Sequence, residues 1–326
     1  MARPKVYVTR KIPQIGLDLL AKECDVTMNL EDKPLSRADF LKAISDVDGV
    51  LCLLTEKIDG EAFEAAAKAK GFANYAVGYD NMDVAEATKR GIPLSNTPDV
   101  LTEATADMAW ALLFAAARRV VESDKVMRSG KWPGWGPMQF IGGDIQGATL
   151  GIVGAGRIGA AMARKSTGFK MKILYTDAVP NPAFEAELGA KFVSFEELTA
   201  QSDYVSVHVP LLPTTRHLFT YDVFKKMKKT AYLINTARGP IVKEDDLVRA
   251  LKEGLIAGAG LDVYESEPKM ADGLAQLDNV VICPHTASAT VSSRNGMAVK
   301  AATNLLAMLK GERAPDCINP RVYEGK

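Results

Sequence analysis

A glycine-rich segment between a predicted strand and a predicted helix is the first feature of the sequence that could bind a ligand. Gly154, Gly156 and Gly159 form a GxGxxG motif that follows the apolar run 150–153 and begins a helix. Glycines with this spacing permit a tight turn and let a pyrophosphate approach the helix N-terminus. In this context the motif predicts a dinucleotide site rather than a glycine turn in an unrelated α/β domain.

An acidic residue at the end of the next predicted strand indicates which dinucleotide binds. Asp177 follows residues 173–176 and is placed to accept hydrogen bonds from the adenosine ribose hydroxyls. A carboxylate there repels a 2′-phosphate, and Ala178, Val179 and Pro180 offer no arginine to bind one. The sequence therefore predicts NAD as the cofactor, with NADH preferred over NADPH.

Three side chains that could assist the reduction of a 2-oxo acid by the dinucleotide follow later strands of the same region. Arg238 ends one strand, Glu267 lies just beyond the next, and His285 follows the last, so all three should meet at one sheet edge. A guanidinium holds a carboxylate and polarises a ketone, and a histidine donates a proton near neutral pH. A nearby carboxylate orients the histidine and favours its protonated form. We predict these three residues as catalytic and interpret His208 and His217 as structural.

Short β-branched or apolar runs alternate with helical stretches along the chain, a pattern that is typical of βαβ units and parallel sheets. The runs fall into two sets, which predicts two doubly wound α/β domains. The predicted strands are residues 5–9, 25–28, 49–54, 72–75 and 93–96 in the first set, and 149–153, 172–176, 191–193, 204–209, 231–236, 257–263 and 280–283 in the second.

Two long helices and one irregular loop are also predicted. The first helix spans residues 101–130, ends at Gly130 and bridges the two sets, and the second spans residues 288–310. The loop at residues 132–137 is too rich in glycine and proline for regular structure, and it brings two tryptophans with little charge. Such a surface suits a buried interface, so we predict a homodimer.

Composition and charge argue against other classes of protein. Forty Lys and Arg balance forty Asp and Glu, so no basic excess favours nucleic acid. The apolar run at residues 110–117 is far shorter than the ~20 residues of a membrane span. The four cysteines form no CxxC pair, so we predict no metal site. The N-terminus has no apolar signal segment, and we predict a cytoplasmic protein.

Five stretches of the sequence, in the same order, resemble the D-isomer-specific 2-hydroxyacid dehydrogenase family. The resemblance covers nearly the whole chain and is greatest to the glyoxylate reductase and hydroxypyruvate reductase (glycerate dehydrogenase) branch. It implies NADH-dependent reduction of a small 2-oxo acid such as glyoxylate or hydroxypyruvate. The stretches are residues 74–81, 150–159, 235–239, 260–268 and 284–285.

The resemblance also implies roles for individual residues. Arg238, Glu267 and His285 match the catalytic residues of the family, and Arg238 also binds the substrate. The backbone N–H groups around Val77 and Gly78 match the loop that holds the substrate carboxylate. The positions that match the lining of the dinucleotide site, besides the motif glycines and Asp177, are Thr105, Arg157, Ile158, Val209, Pro210, Thr215, Thr236, Ala237, Asp262 and Ala287.

The family architecture implies how the domains are arranged along the chain. A Rossmann NAD-binding domain, residues 101–287, is inserted into a flavodoxin-like substrate-binding domain made of residues 1–100 and 288–326. In the resembled branch the 132–137 loop reaches across the dimer. This implies that Trp135 or Met138 helps to wall the substrate site of the partner subunit.

Three alternatives stay open at this stage: phosphoglycerate dehydrogenases and phosphite dehydrogenases of the same family, and dinucleotide-sensing corepressors of similar fold. The candidate substrate segments, residues 51–56 and 74–81, contain no lysine or arginine, which favours a substrate without phosphate. Glu56 and Asp80 would repel a phosphate if they faced the substrate. Formate dehydrogenases lack the glutamate that Glu267 provides here.

Overall fold

Two compact units, each built on one β-sheet, make up the chain. The structure, a computed structural model, describes residues 2–324. One unit contains the chain up to Leu101 and again from Ala289, and the other is Thr102–Ser288. The hydrogen-bonded strand pairs within both sheets are all parallel, which confirms the predicted α/β class.

The first unit has a five-stranded sheet in the order β2-β1-β3-β4-β5, the flavodoxin-like order. Helix α1 packs against α12, the helix that follows the second unit in the chain. The elements are β1 (Lys5–Val8), α1 (Gln14–Glu23), β2 (Asp25–Met28), α2 (Arg37–Ala43), β3 (Gly49–Cys52), α3 (Gly60–Ala65), β4 (Phe72–Asn74), α4 (Val84–Lys89), β5 (Leu94–Ser95) and α12 (Val291–Leu309).

The second unit has a seven-stranded sheet in the order β12-β11-β10-β9-β6-β7-β8, which is the Rossmann order with one further strand. Its switch point lies between β6 and β9, where the direction of winding reverses. The elements are α5 (Thr102–Ala117), α6 (Val120–Arg128), β6 (Thr149–Val153), α7 (Arg157–Lys165), β7 (Lys172–Thr176), α8 (Pro182–Leu188), β8 (Lys191–Phe192), α9 (Phe195–Gln201), β9 (Tyr204–Val207), α10 (Tyr221–Phe224), β10 (Tyr232–Asn235), α11 (Glu244–Lys252), β11 (Gly258–Leu261) and β12 (Val280–Ile282).

Burial explains why the strands could be recognised in the sequence. Strands β3, β9, β10 and β11 are buried at every residue, because helices cover both faces of a parallel sheet. The outermost strands β2 and β8 instead expose residues to solvent. All the predicted strands are present. Several are one to three residues shorter than predicted, and the missing residues are at one end or at both ends of the strand.

The prediction of one helix over residues 101–130 is wrong. The structure has α5 and α6, separated at Arg119, whose backbone is left-handed with a φ of 52°. The carbonyl of Ala117 accepts a hydrogen bond from the Gly143 N–H at 2.9 Å rather than continuing the helix. The Arg119 guanidinium donates twice to Glu122, at 2.7 Å each, which holds the turn. Gly130 does follow the last helical turn, with a φ of 69°.

In the described part of the chain, no helix is long and apolar enough to cross a membrane. The same residues contain no group of three or more His, Cys, Asp or Glu side chains arranged to hold a metal ion.

Candidate active site

Two of the three motif glycines are required by close packing, and the third leaves open space. Gly154 has a φ of +98°, and a Cβ there would lie 2.8 Å from the backbone nitrogen of Val209. A Cβ on Gly159 would lie 2.0 Å from the carbonyl oxygen of Gly154, so the helix packs against the turn too closely for a side chain. Gly156 has open space instead, and no side chain caps the N-terminus of α7. The loop therefore leaves room for an anion beside the uncapped helix N-terminus.

Asp177 connects the end of β7 to this loop. One carboxylate oxygen accepts the Ala155 N–H at 2.8 Å and the other accepts the Ala178 N–H at 2.7 Å. The residue is exposed, so each oxygen can accept further hydrogen bonds from a ligand. The carboxylate lies beside the glycine turn, on the carboxyl edge of the sheet.

The other residues predicted to line the dinucleotide site fall on the same unit. Val209 and Pro210 follow β9, and the Thr215 hydroxyl donates to the Pro210 carbonyl at 2.6 Å, which shapes the loop. Arg157 and Ile158 begin α7, and Thr105 is buried on α5, which packs against α7. Thr236 is buried at the end of β10, and its hydroxyl has no hydrogen-bond partner in the described structure.

A buried asparagine sets the turn that carries Arg238. Asn235, 1% exposed, accepts the Ala237 N–H at 3.0 Å and donates its side-chain amide to the Arg238 carbonyl at 3.0 Å. Asparagine stabilises turns in this way by bonding to the backbone that follows it. The turn leaves the Arg238 side chain partly buried just beyond β10.

His285 and Glu267 form an ion pair, as predicted from their residue types. Nδ1 of the histidine lies 2.9 Å from Oε2 of the carboxylate, while Oε1 accepts the Tyr264 N–H at 3.1 Å. Burial by itself raises the pKa of Glu267, but the hydrogen bond and charge of His285, the Tyr264 N–H and the Arg238 charge outweigh burial. The pKa of Glu267 therefore lies below its ordinary value, and Nε2 is the nitrogen of His285 left to exchange a proton.

A fully buried carboxylate fixes the backbone on which His285 sits. His285 has a left-handed φ of 54°, and its N–H donates to the Asp262 carbonyl at 2.9 Å. The two carboxylate oxygens of Asp262 accept the N–H groups of Thr286 and Ala287, at 2.7 Å each. A left-handed non-glycine residue costs about 1–3 kcal/mol, and these bonds hold it in place. Asp262, predicted to line the dinucleotide site, thus also anchors the loop that carries His285.

Glu244, which no sequence pattern singled out, binds the backbone on both sides of Glu267. Glu244 is buried, and its carboxylate accepts the Glu265 N–H and the Ala271 N–H, at 2.7 Å each. In return, the Glu244 N–H donates to the Glu265 carboxylate at 3.1 Å. Glu244 sits among three acidic residues in the first turn of α11, where acids favour the helix dipole, so nothing in the pattern distinguished it.

Of the other two histidines, His208 differs from His285 in its environment, whereas His217 also pairs with a glutamate and also has a left-handed backbone, with a φ of 52°. His208 lies 2.8 Å from the Ser206 hydroxyl, and burial lowers its pKa to about 3, which keeps it neutral. His217 lies 2.5 Å from Glu265, the residue that Glu244 holds. The buried, neutral His208 fits the structural interpretation, and the Glu265 carboxylate beside His217 also accepts the Glu244 N–H, which connects His217 to the start of α11.

The remaining predicted substrate residues lie elsewhere. Val77 and Gly78, both partly buried, are in the loop after β4 of the first unit. Trp135 lies in the irregular segment after α6 and is 83% exposed. The strand ends of the second unit thus bring together the glycine loop, Asp177 and the three predicted catalytic residues, whereas Val77 and Gly78 belong to the first unit and Trp135 to the irregular segment.

Comparison with known proteins places these features in one family. Residues 110–287 match the family model described as "D-isomer specific 2-hydroxyacid dehydrogenase, NAD binding domain". A glyoxylate reductase of Korarchaeum cryptofilum is 51% identical over 324 residues, which cover 99% of this chain and 98% of the relative. A solved structure from Thermus thermophilus has 42% identity and a TM-score of 0.89, covering 96% of this chain and 99% of that chain.

A second solved structure is similar along its whole length. The NADPH-dependent glyoxylate/hydroxypyruvate reductase of Sinorhizobium meliloti, in complex with NADP and malonate, has 34% identity and a TM-score of 0.86, covering 97% of each chain. The chain therefore belongs to the D-isomer-specific 2-hydroxyacid dehydrogenase family. It is an oxidoreductase that acts on CH–OH groups, and its second unit is a nicotinamide dinucleotide-binding domain.

The residues at the carboxyl edge of the second sheet fit such a cofactor. Open space at Gly156 and the uncapped start of α7 suit a pyrophosphate. The buried Thr236 hydroxyl, unpartnered among the described residues, suits a polar group of the ligand. The start of α7 and the Thr236 hydroxyl are thus two places where a polar group of a ligand can bind.

Proposed function

We propose that the protein reduces a small 2-oxo acid, such as glyoxylate or hydroxypyruvate, with NADH. The observation that carries this proposal is the His285–Glu267 ion pair on the same sheet edge as Arg238 and the glycine loop. The name of the 51% identical relative, a glyoxylate reductase, supports the same substrate class.

Each of the three side chains has a distinct chemical role in this proposal. Arg238 pairs with the substrate carboxylate and polarises the 2-oxo group. His285 delivers a proton from Nε2 to the oxygen on C2, since Nδ1 is bonded to Glu267. Glu267 stabilises the imidazolium before the transfer and holds the orientation of the ring. The reduced nicotinamide, when bound, supplies the hydride.

The expected absence of a phosphate on the substrate follows from the lack of cations in the two candidate substrate segments. Neither candidate substrate segment contains a lysine or arginine that could bind a phosphate. Glu56 does not contribute repulsion, because it is buried and its oxygens accept hydrogen bonds from Thr9, Thr55 and the Leu53 N–H. The lack of cations, rather than repulsion by Glu56, is therefore the basis for a substrate without phosphate.

A panel of substrates tests the proposal against the alternatives. NADH oxidation should be fast with glyoxylate and hydroxypyruvate and far slower with 3-phosphohydroxypyruvate. A phosphorylated acid that matches the other two would favour a phosphoglycerate dehydrogenase, and NAD reduction by phosphite would favour a phosphite dehydrogenase. NADH binding without turnover of any acid would favour a dinucleotide-sensing protein and overturn the proposal.

The preference for NADH over NADPH is a further part of the proposal. It is supported by the exposed Asp177 carboxylate and by the absence of a cation at Ala178, Val179 and Pro180. The relative from S. meliloti is named as NADPH-dependent, so the opposite preference exists at 34% identity. A double variant, Asp177→Ala with Ala178→Arg, should relax the preference. Equal kcat/KM values for NADH and NADPH in the unaltered protein would contradict it.

We also propose a homodimer that uses the irregular segment after α6. Trp132, Trp135, Met138 and Ile141 all expose apolar side chains there, which is unusual for a surface that faces only water. Trp135 or Met138 would then help to wall the substrate site of the partner subunit. A monomer in analytical ultracentrifugation at micromolar concentration would contradict this.

The compartment that we propose is the cytoplasm. All four cysteines are free thiols, which suits a reducing environment. Fractionation of the source cells, followed by detection of the protein, tests this directly.

A further inference from the structure

The loop after β4 has its carbonyl groups bonded and its N–H groups open. The three consecutive carbonyls of residues 76–78 each accept a hydrogen bond. The donors are the Thr97 N–H at 2.9 Å, the Asn96 side-chain amide at 2.8 Å and the Asn74 side-chain amide at 2.9 Å, in chain order of the carbonyls. The N–H groups of the same three peptides, those of residues 77–79, donate to no group in residues 2–324.

The geometry of the peptide bond links each bonded carbonyl to the open N–H group of the next residue. In a trans peptide the carbonyl and the N–H point in opposite directions, so a fixed carbonyl also fixes the N–H of the next residue. Successive free N–H groups in a turn form a concave site for an anion. Fixing the carbonyls of residues 76–78 therefore presets the three N–H groups that follow them.

The two asparagines are themselves held in place. Asn74 is fully buried, and its amide nitrogen also lies 3.3 Å from Oδ1 of Asn81. The amide of Asn81 donates to the carbonyls of Leu53 and Glu56, at 3.1 and 3.0 Å. The carbonyl of Asn96 accepts from Asn304, a fully buried residue of α12, at 3.2 Å. The Asn74 side chain cannot turn away without breaking its second bond, and the backbone of Asn96 is held in place by Asn304.

We propose that Asn74 and Asn96 are positioning residues that preset the N–H groups of Val77, Gly78 and Tyr79 for the carboxylate of the substrate. This inference rests on the proposed function, because the anion in question is that of the 2-oxo acid. A neutral amide suits the task, since it donates to carbonyls without competing for the N–H groups. An aspartate would repel both the carbonyl and the substrate.

The test is a pair of variants of Asn96, assayed in the intact protein with NADH and glyoxylate. Asn96→Asp keeps the shape of the side chain and replaces the donor by an acceptor. We expect it to raise the KM for glyoxylate about ten- to a hundredfold, to change kcat less than about threefold, and to leave the KM for NADH unchanged. Asn96→Ala should raise the KM less, because water can replace the lost donor.

Asn29→Asp is the matched control. Asn29 is also a buried asparagine of the first unit, and its amide donates to the Lys33 carbonyl at 2.9 Å, away from the 76–79 loop. The same substitution there should leave the KM for glyoxylate within about twofold. Inhibition by oxalate, which offers a carboxylate without a reducible aldehyde, should weaken in the Asn96 variants as the KM for glyoxylate rises.

The outcomes separate this inference from the proposed function. If the unaltered protein does not reduce glyoxylate, the proposed function fails. If it does, and both Asn96 variants keep its KM and the oxalate inhibition, only the positioning role is overturned. A fall in kcat at constant KM would also overturn it, since that marks a disturbance of the proton-transfer groups. If Asn96→Asp does not fold, Asn96→Ala decides the question by itself.

Discussion

The loop after β4 and the segments that carry Glu267 and His285 are anchored by side chains of opposite hydrogen-bonding character. In the first, the amides of Asn74 and Asn96 donate to backbone carbonyls and leave N–H groups open. In the second, the carboxylates of Asp262 and Glu244 accept backbone N–H groups. The type of anchor thus decides which backbone groups remain for a ligand.

The charge of each anchor also matches the chemistry proposed beside it. Neutral amides add no negative charge next to a substrate carboxylate. The carboxylate anchors instead lie in the region of the proton donor, where Asp262 holds the loop of His285, rather than beside the substrate carboxylate. The comparison therefore separates a region for binding an anion, which should control KM, from a region for proton transfer, which should control kcat.

The largest effect is expected from His285→Ala. Removing the general acid should lower kcat about 10²–10⁴-fold, because this is the usual contribution of such a group. Affinity for NADH, measured by fluorescence titration, should change little and serves as the control for folding. A variant that keeps more than about a tenth of the activity would show that another group donates the proton.

Glu267→Gln should have the next largest effect. The glutamine keeps the shape but not the charge, and a hydrogen bond to a charged group contributes about 1.5–3 kcal/mol, so kcat should fall about ten- to a hundredfold. Steady-state assays with NADH and glyoxylate measure this effect, and a kcat within about threefold of that of the unaltered protein would contradict the role of the carboxylate.

The pH profile of the unaltered protein tests the other side of this pair. The pKa of Glu267 lies below its ordinary value, so the carboxylate stays charged as the pH falls until that lowered pKa is reached. Loss of activity from protonation of Glu267 should therefore occur only below pH ~4.3, the ordinary value for glutamate. Glu267→Gln has no carboxyl group to protonate at this position, so an acidic limb that is the same in that variant would contradict the role of Glu267.

Glu244→Gln should have the smallest effect of the three. The substitution replaces one of the two side-chain oxygens that accept backbone N–H groups by an NH₂ donor. This loosens the segment between Glu265 and Ala271, so kcat should fall about two- to fivefold. Glu253→Gln, at the other end of α11, removes only exposed contacts to Arg249 and Tyr221 and is the matched control. Equal kcat values for the two variants would show that the segment does not depend on Glu244.

The sequence predicted the elements well where one local pattern determines them. Buried strands such as β9 and β10 are short apolar runs, and the glycine motif at Gly154 carries its own steric requirements. The break at Arg119 could not be predicted, because it depends on the Gly143 N–H, which arrives from a later segment of the chain.

The side chains that anchor the site could not be identified from the sequence either. Asn96 and Val77 meet only because β4 and β5 are neighbours in the sheet, and Glu244 meets Ala271 only after α11 has packed. Residue type identified His285 and Glu267 as partners, since an acid near a histidine has an evident use. An asparagine or a glutamate that bonds to distant backbone has no such signature in the sequence.

The proposed binding of the substrate carboxylate is tested most directly by comparing glyoxylate with its methyl ester as substrates for the unaltered protein with NADH. The two share the reactive carbonyl, but the ester lacks the anion that we propose the site binds. We expect kcat/KM for glyoxylate to exceed that for the ester by at least about a hundredfold, because a site built for a charged group rejects an analogue without it. Similar values for the two compounds would contradict the account.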